Sequence, residues 1–215
     1  MSDSHLVEYT VISPNKTLSD SHLVEYTVIS PNKTLRASKI DRITPHIMGV
    51  DHSLEVLGAY FQSRASKASS NYGIDSDGRV ALYVPENYRS QCSDEWENDE
   101  RAITVEIAND GPGPDYHVSD AAIAKFIDLC VDVCQRHEIP ELNFTGDESG
   151  NVTLHKWYAA KPCPGPYLES KIPYIVTEVN KRLKGDKPKR NVPVETKLKN
   201  RNKRSKDGPT PICKE

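Results

Sequence analysis

His155-Lys-Trp-Tyr-Ala-Ala-Lys161-Pro-Cys163-Pro-Gly165 is the stretch on which the reading of the fold turns. It sets a histidine, a lysine six residues on and a cysteine eight residues on within one short segment. Zinc is held by neutral imidazole and thiolate, and a catalytic site takes three protein ligands and leaves the fourth tetrahedral position open. A third ligand must then come from elsewhere in the chain. The best donor is His46 in Ile43-Thr-Pro-His46-Ile-Met, where the histidine follows a short apolar run, as if ending a strand that faces a cleft. A buried histidine and cysteine without metal is the alternative reading of these residues.

Working outward, Ile43-Thr-Pro-His46, Asn71-Tyr72-Gly73-Ile-Asp-Ser-Asp-Gly-Arg79, Ala102-Ile-Thr-Val-Glu106-Ile-Ala-Asn-Asp110 and His155 to Pro166 follow in that order. This succession resembles the zinc N-acetylmuramoyl-L-alanine amidases of type 2, the enzymes of phage endolysins and bacterial autolysins that are related to peptidoglycan recognition proteins. The resemblance spans roughly residues 23–183, and its H-x5-K-x-C element is the specific part. It implies zinc held by His46, His155 and Cys163, and hydrolysis of the amide between N-acetylmuramic acid and the L-alanine of the stem peptide in bacterial peptidoglycan. It further implies Glu106 as acid/base and Lys161 as the cation that meets the oxyanion. Asn71 and Tyr72 are the candidate substrate-binding pair, with a core position for Tyr72 as the alternative. Ile47 stands where many relatives carry a second histidine.

The residues themselves support a special role for Glu106. In Ile103-Thr-Val-Glu106-Ile107 a period of two sends Thr104 and Glu106 to one face and Ile103, Val105 and Ile107 to the other. An inward carboxylate in so apolar a strand is costly unless it serves a site. A carboxylate at the sheet rim is the alternative.

Elsewhere strands alternate with helices. Ser53 to Ser63 has apolar residues at helical spacing behind a serine cap, and Ser119 caps a second helix to about His137. Asp75-Ser-Asp77-Gly78 reads as a hairpin turn between Asn71–Ile74 and Val80–Val84. Leu142-Asn-Phe-Thr145 reads as a short strand, and Pro173–Leu183 as the closing helix. The class expected is α/β, a single mixed sheet flanked by helices, like the type-2 amidases and peptidoglycan recognition proteins.

SDSHLVEYTVISPNKTL occurs twice in tandem, at residues 2–18 and 19–35. Two short units are too few for a solenoid, so one copy, the nearer, should supply the first strand and the Pro31-Asn32 turn. The division expected is residues 1–21 as a surplus extension, 22–183 as the catalytic domain and 184–215 as a basic disordered tail or linker. That tail holds eleven Lys or Arg against four Asp or Glu, leaving about −10 on the remainder of a chain whose net charge is −3. Three readings fit it: a solvated linker, a segment lying on the acidic domain, or a binder of anionic wall polymers. Its basic residues are not interleaved with aromatics, which argues against nucleic acid.

Hydrophobic residues at 36% and charged residues at 27% are ordinary for a soluble protein. Neither a secretory signal nor a membrane span is evident, so synthesis in the cytoplasm and action on the wall after release or holin-type export are expected. Cys92, Cys130, Cys134, Cys163 and Cys213 are odd in number and irregularly spaced, which argues against a disulfide framework. Cys130 and Cys134, four apart on one face of an expected helix, suggest a metal or redox pair, with small core residues as the preferred reading. Two other functions fit the same sequence: a non-catalytic peptidoglycan-binding module, and an amidase that recycles soluble muropeptides.

Overall fold

Alternation in Arg42-Ile-Thr-Pro-His46-Ile47 and Ala102-Ile-Thr-Val-Glu106-Ile107 builds the centre of the domain. The structure, a computed structural model, describes residues 20–185. In chain order its strands are β1 (Tyr26–Thr27), β2 (Thr34–Leu35), β3 (Arg42–Ile47), β4 (Tyr72–Ile74), β5 (Val80–Leu82), β6 (Tyr88–Arg89) and β7 (Ala102–Ile107). Its helices are α1 (Leu54–Gln62), α2 (Trp96–Arg101), α3 (Asp120–Arg136) and α4 (Pro166–Gly185). Five strands form one mixed sheet in the order β1-β5-β4-β7-β3, while β2 and β6 make a separate antiparallel pair. The expected α/β class, one mixed sheet flanked by helices, is the one adopted.

Each face of the sheet has its own occupant. Ile43, Ile103, Val105 and Ile107 join Phe126, Ile127, Cys130 and Cys134 of α3 and Leu168, Ile172, Ile175 and Val179 of α4 in the main core. The two cysteines are free thiols packed there, in keeping with the core reading and not with a metal or redox pair. On the opposite face α1 packs Leu54, Leu57 and Phe61 against Ala81 and Tyr83 in a smaller core. Ser53 caps α1 by accepting from the Val56 amide, and Ser119 caps α3 by accepting from the Ala122 amide.

Two expectations about elements are corrected. Leu142–Thr145 is not a strand. Its backbone is served by side chains: the Leu142 amide donates to Asn180 Oδ1 at 2.8 Å and the Asn143 amide to Asn151 Oδ1 at 2.6 Å. The last helix begins at Pro166, not at Pro173. Proline suits the first helical position, where its missing N–H has no partner to lose, and Pro173 is carried on the exposed side of the helix.

The second copy of the repeat lies along β5. The Glu25, Val28 and Ser30 amides donate to the carbonyls of Val80, Leu82 and Tyr83. Asp20 accepts from the Glu86 amide, and the amide of fully buried Ser21 donates to the Tyr72 hydroxyl. The folded part therefore already includes Asp20 and Ser21, ahead of the boundary expected at residue 22. Lys184 and Gly185, expected to open the basic tail, still belong to α4, and the rest of that tail, from residue 186, lies outside the described residues, as does the first copy at residues 2–18.

Candidate active site

The site forms where β3 and β7 end side by side. In their parallel register His46 is paired with Glu106 and Thr44 with Thr104, so all four side chains lie on the face opposite the main core. His155 arrives from a segment laid along β3. The Ile43 amide donates to the Asn151 carbonyl and the Thr153 amide to the Ile43 carbonyl, and the Thr44 and Thr153 hydroxyls meet at 2.7 Å. A single helical turn at His155–Trp157 follows, and the Lys156 amide closes the loop onto the Cys163 carbonyl at 3.0 Å. This clip sets Cys163 Sγ 3.4 Å from His46 Nδ1. The rings of His46 and His155 stand 5.0 Å apart, edge to face.

One ligand atom each from His46, His155 and Cys163 lies within 4.8 Å of the other two. His46, Cys92 and Glu106 make a second such group that shares His46. The chemistry of the first set fits zinc. Burial holds His46 and His155 below the usual imidazole range, so both present neutral rings. Burial, with the charge of Glu106, pushes the Cys163 thiol up, so its ionisation calls for a nearby cation such as a divalent metal. The Oε2 atom of Glu106 is buried with no hydrogen-bond partner, an orphan that a polar group in the cleft would satisfy.

Burial pushes the Glu106 carboxyl up to about 8, with the Cys92 thiol and the Lys161 charge pulling the other way. Cys92 Sγ donates to Glu106 Oε1 at 3.6 Å, and burial keeps that thiol protonated. Lys161 is half-exposed at the rim, where its ammonium donates to Asp94 Oδ2 at 2.5 Å. That bond lowers Asp94 and raises Lys161 from their ordinary values. A cavity of about 240 Å³, lined by Lys67, Arg89, Gln91, Asp94, Glu95, Trp96 and Asp99, adjoins the site at Asp94.

His46, His155, Cys163, Glu106 and Lys161 are thus gathered in one place. Asn71 and Tyr72 are not brought to it. Both are fully buried: Asn71 donates to the carbonyls of Val84 and Tyr88, and the Tyr72 hydroxyl donates to Glu86 at 2.5 Å. Their expected substrate contact gives way to core polar bonding, because a buried amide and phenol must be satisfied internally. Cys92, Ser93 and Asp94, which do reach the site, carried no motif in the sequence.

A mixed-sheet α/β domain with a two-histidine, one-cysteine cluster at the ends of parallel strands defines the class. The model of the N-acetylmuramoyl-L-alanine amidase family (Amidase_2) matches residues 36–166, more than half of the chain and all five gathered residues, and the chain belongs to that family. Among solved structures it is similar to the hydrolase AmiA of Staphylococcus aureus, at 16% identity and a TM-score of 0.59 over 74% of this chain and 82% of that one. It is also similar to a mutant endolysin from Bacillus subtilis, at 18% identity and a TM-score of 0.54 over 71% of this chain and 97% of that one. An AmpD derivative matches at 17% identity and a TM-score of 0.58, over 74% and 97%. At these identities the likeness is one of fold. No curated protein matches the chain.

Proposed function

We propose that this protein is a zinc-dependent hydrolase that cleaves the amide between N-acetylmuramic acid and L-alanine in peptidoglycan, in the manner of an endolysin. The observation that carries the reading is the convergence of His46, His155 and Cys163 within 4.8 Å beside a carboxylic acid, Glu106, with an orphaned oxygen. His46, His155 and Cys163 would hold the zinc. Bound there, the metal supplies a Lewis acid for the amide carbonyl and lowers the pKa of a water.

The remaining work falls to the chain's own side chains. Glu106, paired with His46 across the strands, accepts a proton from the attacking water and returns it to the departing alanine nitrogen. Burial raises this carboxyl in the metal-free chain, which suits the return of the proton, and a bound divalent cation would draw it back toward the carboxylate that accepts it. Lys161 Nζ, parked on Asp94, is free to swing toward the tetrahedral oxyanion on its long stem. The basic tail supports a polymeric anionic target.

Incubation of purified sacculi with the protein, followed by mass analysis, tests the reaction. Free lactyl groups and free L-alanine amino ends should appear together, and removal of metal should stop their release until zinc is returned. Undiminished turnover after verified metal removal would refute the zinc mechanism. Release from soluble muropeptides alone would make the enzyme a recycling amidase, and binding without release would make it a recognition module.

A further inference from the structure

We propose that the tripeptide Cys92-Ser93-Asp94 is the positioning loop of the site, in which Ser93 and Asp94 fix the tautomers of the two histidines that face the metal. The inference rests on the zinc reading given above. The loop joins β6 to α2 and is pinned from behind by Asp99, whose carboxylate accepts the Cys92 amide at 2.8 Å and the Ser93 amide at 3.0 Å. Asp94 takes a left-handed backbone, φ 57°, which turns its side chain back toward the cleft.

From this base three consecutive side chains reach four members of the site. Ser93 Oγ lies 3.3 Å from His46 Nε2. Asn98 Nδ2 donates to the same oxygen at 3.2 Å. His46 Nδ1 is the atom turned to Cys163, so a neutral ring that ligates through Nδ1 carries its hydrogen on Nε2, and Ser93 Oγ is the acceptor within reach. Asp94 repeats the arrangement on the other ligand. Its Oδ2 lies 3.4 Å from His155 Nε2, and a carboxylate only accepts, so His155 also carries its hydrogen on Nε2. The same oxygen takes the Lys161 ammonium, tying a metal ligand to the oxyanion's cation. Cys92 completes the set by donating to Glu106 Oε1, while Oε2 stays buried without a partner. Partners of this kind orient ligating histidines and typically contribute about 10–100-fold in metal affinity.

The test measures the full chain in two ways. Long-range ¹H–¹⁵N NMR of the metal-free protein reads the imidazole tautomers directly, and both His46 and His155 should be Nε2–H. Zinc affinity, by competition with a chromophoric chelator, should fall about 10–100-fold in Ser93→Ala and about 10-fold or more in Asp94→Ala. Ser93→Thr, which keeps the hydroxyl, should restore it. Thermal unfolding of the metal-free variants separates this from misfolding, since exposed Asp94 can be replaced without disturbing the core. An Nδ1–H tautomer at either histidine overturns the proposal, as do zinc affinities within about twofold of the parent in both alanine variants. A parent chain that takes up no zinc would refute the metal reading instead, while the tautomers would still decide the role of the loop.

Discussion

Glu106 shows how one residue couples stability to chemistry. Burial raises its carboxyl to about 8, whereas the unfolded chain keeps the ordinary 4.5. Between those values the unfolded state has released its proton and the folded state has not, so stability falls as pH rises through the window. In the metal-free protein Glu106→Gln removes this penalty. The variant should match the parent near the lower limit and exceed it near the upper by a few kcal/mol, at roughly 1.4 kcal/mol per pH unit. Urea unfolding across about pH 5–8 checks the sign, and parallel profiles would mean that the carboxyl is solvated. With zinc bound the same variant should keep its metal yet lose about 10²–10⁴-fold in turnover, since an amide cannot accept the proton. Lys161→Ala should lose about 10²-fold with zinc retained, read from the rate on sacculi. At this scale His155, Lys161 and Cys163 were legible because one motif holds them at fixed spacing, and Glu106 because a carboxylate interrupts an apolar strand. Ser93 and Asp94 were not, because their reach depends on a left-handed turn and on Asp99 behind it, neither of which leaves a periodic trace.

Among the elements, the packing of α1 over the sheet depends on the absence of a side chain at one strand position. Gly73 of β4 is paired with Ala81 on one side and Glu106 on the other. A Cβ there would lie 2.5 Å from Tyr83 Cε2, inside the contact limit. The Tyr83 ring is not free to retreat, because it is fully buried and its hydroxyl donates to the Leu54 carbonyl at 2.7 Å. Gly73→Ala should therefore push α1 off the sheet and cost about 1–3 kcal/mol, as overpacked cores do. Equilibrium unfolding measures the loss, and an unchanged midpoint would show that the ring repacks freely. Helices α1 and α3 were legible from their serine caps and apolar spacing. The start of α4 was misplaced because Pro173 reads as a first-turn proline, while Pro166 takes that position. Leu142–Thr145 was misread because four residues of mixed polarity carry no sign that Asn151 and Asn180 will bond their amides.

For the molecule as a whole, the repeated N-terminus poses the question of which copy the fold needs. The slot beside β5 reads its occupant side chain by side chain. Asp20 accepts from Glu86, and Asn32 Nδ2 donates to the Phe61, Ser63 and Ala68 carbonyls. Residues 2–18 carry the same sequence and offer the same partners. What separates the copies is Arg36, directly after the second, whose guanidinium is bonded to the carbonyls of Glu86, Tyr88, Asp99 and Ala102. With Arg36 fixed, residues 19–35 run straight into the slot. Residues 2–18 reach it only if the 17 residues between loop out, which costs roughly 2.5 kcal/mol in closure entropy. We expect the first copy to be dispensable: deletion of residues 2–18 should leave the unfolding midpoint and the rate on sacculi unchanged. The complementary change is more telling. Asn32→Ala should cost about 1–3 kcal/mol through its stranded carbonyl partners if the second copy alone serves. If the first copy takes over, the loss is capped near the closure cost and deepens once residues 2–18 are also deleted. Unfolding curves of the parent, the deletion, Asn32→Ala and their combination form a cycle that separates the cases. Additive effects mean the nearer copy holds the slot alone, and a combined loss larger than the sum means the duplication is a working reserve.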